Sequence, residues 1–177
     1  KLDPSKAFSM DRLDDANNFE TGLSSTIGFD YKIKNKQTNF DFSVAQVINE
    51  IENEKMSDKS SLNEKLSDLV GTASYKFNDK ITLNYDFAVD QNYNEFNYND
   101  LGLSLNFEKI NFNLNYLEEN KHIGDQEYLK TKINLSTNDN KTISFDTKRN
   151  LISNSSEYYN LSYEYHNDCL RAGLVYR

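Results

Sequence analysis

Read for periodicity, the chain shows almost no helical pattern and a long series of segments in which apolar and polar residues alternate, the period-2 signature of strands with one apolar face. From Phe19 the odd positions run Phe19, Thr21, Leu23, Ser25, Ile27, Phe29, Tyr31 and Ile33, and the even ones are polar or glycine. A turn over residues 34–38 leads to a second strand with Phe40, Phe42, Val44 and Ile48, and the polar stretch 49–67 then reads as a long loop. The third and fourth strands (Leu69 to Phe77, Ile81 to Val89) flank Asn78-Asp79-Lys80, a tight turn whose Asn and Asp tolerate positive φ. After an open stretch at 90–95, a fifth strand (Leu101 to Phe107) turns at Glu108-Lys109 into a sixth (Ile110 to Tyr116). A loop at 117–127, a seventh strand (Leu129, Ile133, Leu135), a turn at 137–140 and an eighth (Ile143, Phe145) follow. The loop 150–156 precedes a ninth strand (Tyr159 to Tyr165), the turn His166-Asn167-Asp168 and a tenth (Leu170 to Tyr176).

The pattern predicts an all-β protein, an antiparallel up-and-down meander of about ten strands. Short turns and longer loops alternate along it, and aromatics such as Phe29, Tyr31, Phe40, Phe77, Phe107 and Phe112 flank the short turns. Transmembrane β-barrels have this asymmetry, with strands of about 9–11 residues and aromatic girdles. The competing expectation is a soluble antiparallel sandwich, but the polar face is Asn, Ser, Thr, Asp and Lys, with no second apolar layer to bury.

Composition fits one apolar face in two. The 177 residues include 12 Tyr, 11 Phe and no Trp, yet mean hydropathy is −0.81. No stretch approaches the roughly 18 apolar residues of a membrane helix. A net charge of −8 leaves no basic stripe for a nucleic acid, so none is expected as partner.

Candidate chemistry is sparse. His166, Asp168 and Cys169 share one turn and cannot align as nucleophile, base and orienter, so no catalytic residue is expected. An outer-membrane lipid hydrolase would need a Ser-His pair on the strands, and both His fall in turns or loops; His122 reads as solvated. No metal site or cofactor is expected: zinc spacing is absent, and Asp11, Asp14 and Asp15 lack the spacing and glycine of a calcium loop. Asn84, Asn106, Asn111, Asn113 and Asn115 could meet sugars or phosphates, while Lys130, Lys132, Lys148 and Arg149 form no concentrated anion patch in sequence. Cys169, the single cysteine, falls at a short turn, the side that faces the oxidising periplasm in such barrels.

Particular strings carry more than alternation. The run DRLDDANNFETGLSSTI, followed by FDFSVAQVI, then SDLVG and the closing YYNLSYEYHNDCLRAGLVYR, resembles the LPS-assembly protein LptD family, also called the organic solvent tolerance protein family. The motif positions are Asp11, Arg12, Asp15, Ala16, Asn17 and Gly22, with Ala45-Gln46 standing where the family has Gly-Gln. The resemblance implies the C-terminal part of an outer-membrane barrel in a Gram-negative bacterium, residues 1–18 being a polar lead-in and 19–177 the barrel section, with the periplasmic jellyroll, the early strands and the last strands absent. It implies lipopolysaccharide transport and assembly, with lipopolysaccharide, an LptE-like plug lipoprotein and periplasmic LPS-bridge proteins as partners, and no enzymatic activity. It also implies that Cys169 makes a disulfide to the jellyroll domain. A porin-like channel is the alternative within the barrel class.

Overall fold

The computed structural model describes residues 2, 4–9, 12, 21–138, 140–167 and 169–176. They form one sheet of ten strands in sequence order, every neighbouring pair antiparallel. The strands are β1 (Ser24–Lys34), β2 (Thr38–Asn49), β3 (Leu69–Phe77), β4 (Ile81–Val89), β5 (Phe96–Asn106), β6 (Ile110–Glu119), β7 (Gln126–Asn138), β8 (Lys141–Asn150), β9 (Ser155–His166) and β10 (Arg171–Tyr176). The meander is the one the alternation predicts. A single sheet, with no second one packed on it among the described residues, removes the sandwich. Among the described residues β1 and β10 do not pair, which leaves the sheet two open edges.

Register decides which side chains share a face, because a one-residue slip of a strand would move all of its side chains to the other face. Tyr31 stands opposite Phe42, Phe42 opposite Ala73, and Ala73 opposite Tyr85. The row continues through Leu101 and Tyr116 to Leu129. A second row, Leu83, Leu103 and Leu114, runs parallel to it. At the far side Ile133, Phe145, Leu161 and Tyr176 pair in turn. One face is therefore mainly apolar across all ten strands, interrupted by Thr131, Thr147 and Arg149 on β7 and β8, and many of its residues are exposed: Ile27 at 65%, Phe29 at 57% and Leu174 at 76%. Leaving so much apolar surface uncovered would be costly in water, and marks a face that meets something apolar.

The turns follow the expected asymmetry through β7. Short connections at 35–37, 78–80, 107–109 and 139–140 alternate with longer ones at 50–68, 90–95 and 120–125. The rule fades at the end, where 151–154 and 167–170 are equally long. There the β8–β9 ladder passes a register shift at Lys148/Arg149 and pairs on to Asn150 and Ser155, consuming the loop that the sequence pattern suggested. The loop at 120–125 is likewise shorter than expected, since β6 and β7 pair as far as Glu119 and Gln126.

The polar face carries one feature that alternation did not foretell. At its long-loop end Ala45, Val47, Val70 and Ala88 form a small apolar patch, and Met56 and Leu62 from the loop 50–68 and Leu2 and Ala7 from the N-terminal segment close over it. Full burial of each larger side chain contributes roughly 1.5–3 kcal/mol, so the loop folds back onto the sheet rather than standing open. Its backbone is held as well. Ile48 pairs with Leu66, Asn49 donates through Nδ2 to the carbonyls of Leu62 (3.1 Å) and Glu64 (2.8 Å), and Ser67 Oγ accepts the Val47 N–H at 2.9 Å.

Candidate functional site

Two surfaces carry whatever the protein does: the exposed apolar face and the polar face behind it. On the apolar face, aromatics sit near the short turns, with Tyr31 edge-on to Phe40 at 6.4 Å between ring centroids. A second belt lies toward the long loops. The Tyr85 hydroxyl donates to Asn99 Oδ1 at 2.7 Å, the Tyr93 hydroxyl to Gln46 Oε1 at 2.7 Å, and the Tyr116 hydroxyl to Glu127 Oε1 at 3.0 Å. Apolar rings with polar tips on one line mark a boundary between apolar and wet surroundings. Alternation points to aromatics at the short turns; the polar partners of this second belt come from other strands and show in no single strand's pattern.

Between the belts the spacing fits a membrane. β6 has ten residues, which at about 3.4 Å each is roughly 34 Å of strand. Tilted by about 40°, that spans about 26 Å, matching the apolar band of about 25 Å around outer-membrane barrels. Among the described residues no helix is long and apolar enough to cross a membrane.

The polar face is a hydrogen-bonded carpet. Ser74 donates to Asn84 (2.8 Å), Ser104 to Asn113 (2.9 Å), and Asn115 Nδ2 to Asp100 (2.6 Å). Lys148 pairs with Glu157 at 2.8 Å and lies 4.5 Å from the Tyr128 ring centroid. The four basic residues separate: Lys130, Lys132 and Lys148 stand on this face, whereas Arg149, opposite Leu129, belongs to the apolar one and donates to Asn154.

A buried polar cluster joins the long loops at the same end. Asp68, 1% exposed, accepts from Asn97 Nδ2 at 3.0 Å and from Lys121 Nζ at 3.5 Å. Glu119, also 1% exposed, receives the N–H groups of Lys121, His122 and Ile123 at 3.0, 2.5 and 2.7 Å. The His122 ring meets the Lys59 carbonyl through Nδ1 and places Nε2 3.8 Å from Asp68. His122 is thus not the solvated residue its polar neighbours suggested; folding of loop 50–68 covers it. Burial holds its pKa below the ordinary histidine range, against the Lys59 carbonyl and the Asp68 and Glu119 carboxylates, which favour the cation. A depressed pKa means that the undocked loop takes up the proton first. Loop docking is therefore strongest above about pH 6.5 and weakens as pH falls below it. Amide exchange at residues 121–123, corrected for intrinsic rate, should lose protection between pH 7.5 and 5.5, and His122→Gln should remove that pH dependence; equal protection at both pH values would contradict the coupling.

The family-motif positions that are described all serve this end of the sheet. Arg12 donates to the Ala7 carbonyl (2.8 Å), Ser24 Oγ (3.1 Å) and Thr26 Oγ1 (3.0 Å), fastening the N-terminal segment to β1. Gly22 has φ of +88°, where a side chain would be strained, and its missing Cβ leaves room for Ile51 of the long loop. Gln46 ties β2 to the Ser67 carbonyl at 2.9 Å. Asp11, Asp15, Ala16 and Asn17 lie outside the described residues, as do Asp14 and Asp168. Cys169 is exposed on the 167–170 turn with a free thiol, its N–H bonded to Asn167 Oδ1 at 3.0 Å.

Compared with known families, residues 4–134 match the model of LptD, LPS transport system D. The chain belongs to the LptD family. That match covers β1 to β6 and most of β7, together with the loop 50–68 and the buried cluster. Membership assigns the chain a general role in lipopolysaccharide transport and assembly at the outer membrane, in a family of transport rather than catalysis. No curated protein matches the chain.

Proposed function

We propose that the ten-stranded sheet is part of the transmembrane wall of an outer-membrane lipopolysaccharide translocon. The observation that carries this reading is the register, which gives one predominantly apolar face over ten strands, broken by Thr131, Thr147 and Arg149 on β7 and β8, and a hydrated face behind it. The apolar face stands in hydrocarbon between its two aromatic belts. The polar face lines an aqueous lumen that accommodates the sugar portion of the glycolipid, with no bond made or broken. The long-loop end faces outward, and the packed loop 50–68 narrows the lumen there. The edges of β1 and β10 are completed by further strands, since an unpaired edge within a bilayer strands backbone groups at several kcal/mol each. A plug lipoprotein and periplasmic bridge proteins are the partners, and residues 1–18 lead into the wall.

Depletion of the protein in cells tests the role: pulse-labelled lipopolysaccharide reaching the outer leaflet should fall several-fold, and undiminished arrival would overturn it. Cys169 is placed by the same reading on the periplasmic side, where its free thiol is available for a disulfide to the jellyroll domain. Non-reducing electrophoresis of the full-length protein should show a mobility shift that Cys169→Ser abolishes; identical migration would remove the bridge.

A further inference from the structure

A recess of about 270 Å³ opens on the polar face between β4 and β7, lined by Gly102, Leu103 and Leu114 and by the polar Asn84, Ser104, Asn113, Asn115, Lys130 and Lys132. Gly102 leaves its floor open, for a Cβ built there meets nothing within 4 Å. Its polar side chains are unbalanced toward donors. Lys130 and Lys132 make no ion pair among the described residues, although Asp146 stands across from Lys132 in the ladder. Asn84 and Asn113 have their carbonyls occupied by Ser74 and Ser104, which leaves both NH2 groups to the recess. Asn115 spends its NH2 on Asp100, so its carbonyl is the one amide acceptor that remains. No carboxylate lines the cavity. In a chain of net charge −8, two free ammonium groups beside two free amides form a local anion cradle whose amides also suit hydroxyl groups.

We propose that this recess binds a phosphorylated sugar, its phosphomonoester between Lys130 and Lys132 and its hydroxyls on Asn84, Asn113 and Asn115. The inference rests on the reading of the polar face as the translocon lumen, and it supplies a phosphosugar station partway along that wall. Lysine suits such a station because it holds phosphate as a point charge rather than through a fixed fork, so a passing ligand is retained weakly.

The test uses the intact protein in detergent, with a photoreactive residue at Asn134, beside the recess, or at Asn160, elsewhere on the polar face. The probe is lipid A, or the same glycolipid after phosphatase treatment. Adduct at position 134 should fall about tenfold in the Lys130→Gln/Lys132→Gln double variant, as expected for loss of charged hydrogen bonds, and similarly with dephosphorylated lipid. Gly102→Leu builds into the floor from a position where a Cβ meets nothing within 4 Å and should act likewise, while heat-modifiable migration reports that each variant is folded. Adduct at position 160 should persist in every variant. Unchanged adduct at 134 with persisting adduct at 160 would overturn the station and leave the lumen reading intact; loss of lipid A adduct at both positions in the unmutated lining would overturn both. Glucosamine phosphate should compete at about one-tenth the concentration of inorganic phosphate, and parity between them would overturn the sugar assignment.

Discussion

Replacing Glu119 by alanine should destabilise the long-loop end by about 3–5 kcal/mol, because it strands three backbone donors at roughly 1–3 kcal/mol each, partly offset by water. The carboxylate is 1% exposed and accepts the N–H groups of Lys121, His122 and Ile123. Those residues carry Lys121 and His122 to Asp68, which in turn holds Asn97. The loss therefore spreads from loop 120–125 to loop 50–68. Glu119→Gln keeps acceptor oxygen but gives up the negative charge, and should cost less than half as much. Urea unfolding in lipid, with limited proteolysis within 120–125, measures both. Alanine at no cost, with the loop still protease-resistant, would show that the cluster does not hold the loops together.

The second large effect concerns the opposite surface. Leu103 stands mid-strand on the apolar face, with Leu83 and Leu114 as its register partners. An arginine there would sit in hydrocarbon, at a cost of about 2–4 kcal/mol near the bilayer midplane. Asn160→Arg is the matched control: it lies on the polar face opposite Asp146 and should change stability by less than about 0.5 kcal/mol, as surface substitutions generally do. Folding free energies in vesicles should separate the two by at least about 1.5 kcal/mol. Equal costs would deny that the faces meet different solvents.

Much of this fold was legible because the strand period is two, and each strand's own alternation fixes its face before any partner is known. Residues such as Leu101, Leu103 and Leu105 declare their side locally. What stayed hidden depends on non-local contact. Val47 and Val70 read as ordinary strand residues until Met56 and Leu62 arrive over them. Loop 50–68 looked open because its residues are polar, yet its Ser57, Ser60 and Ser61 hydroxyls accept its own N–H groups and Asn49 of β2 donates to its carbonyls, which lets it pack. His122 is buried by a loop some sixty residues earlier in the chain, which no local pattern registers. Lys130 and Lys132 gain meaning only once the antiparallel register brings Asn113 and Asn115 beside them and leaves Gly102 open below.

The central claim is that the sheet separates hydrocarbon from water, and β5 tests it most directly. Single cysteines at positions 101 to 105, in a Cys169→Ser background reconstituted in vesicles, should react with a membrane-impermeant maleimide in strict alternation. Positions 102 and 104 should label, while 101, 103 and 105 should stay protected and a bilayer-depth quencher should reach a fluorophore at 103. Uniform labelling, or alternation in the opposite phase, would contradict the account.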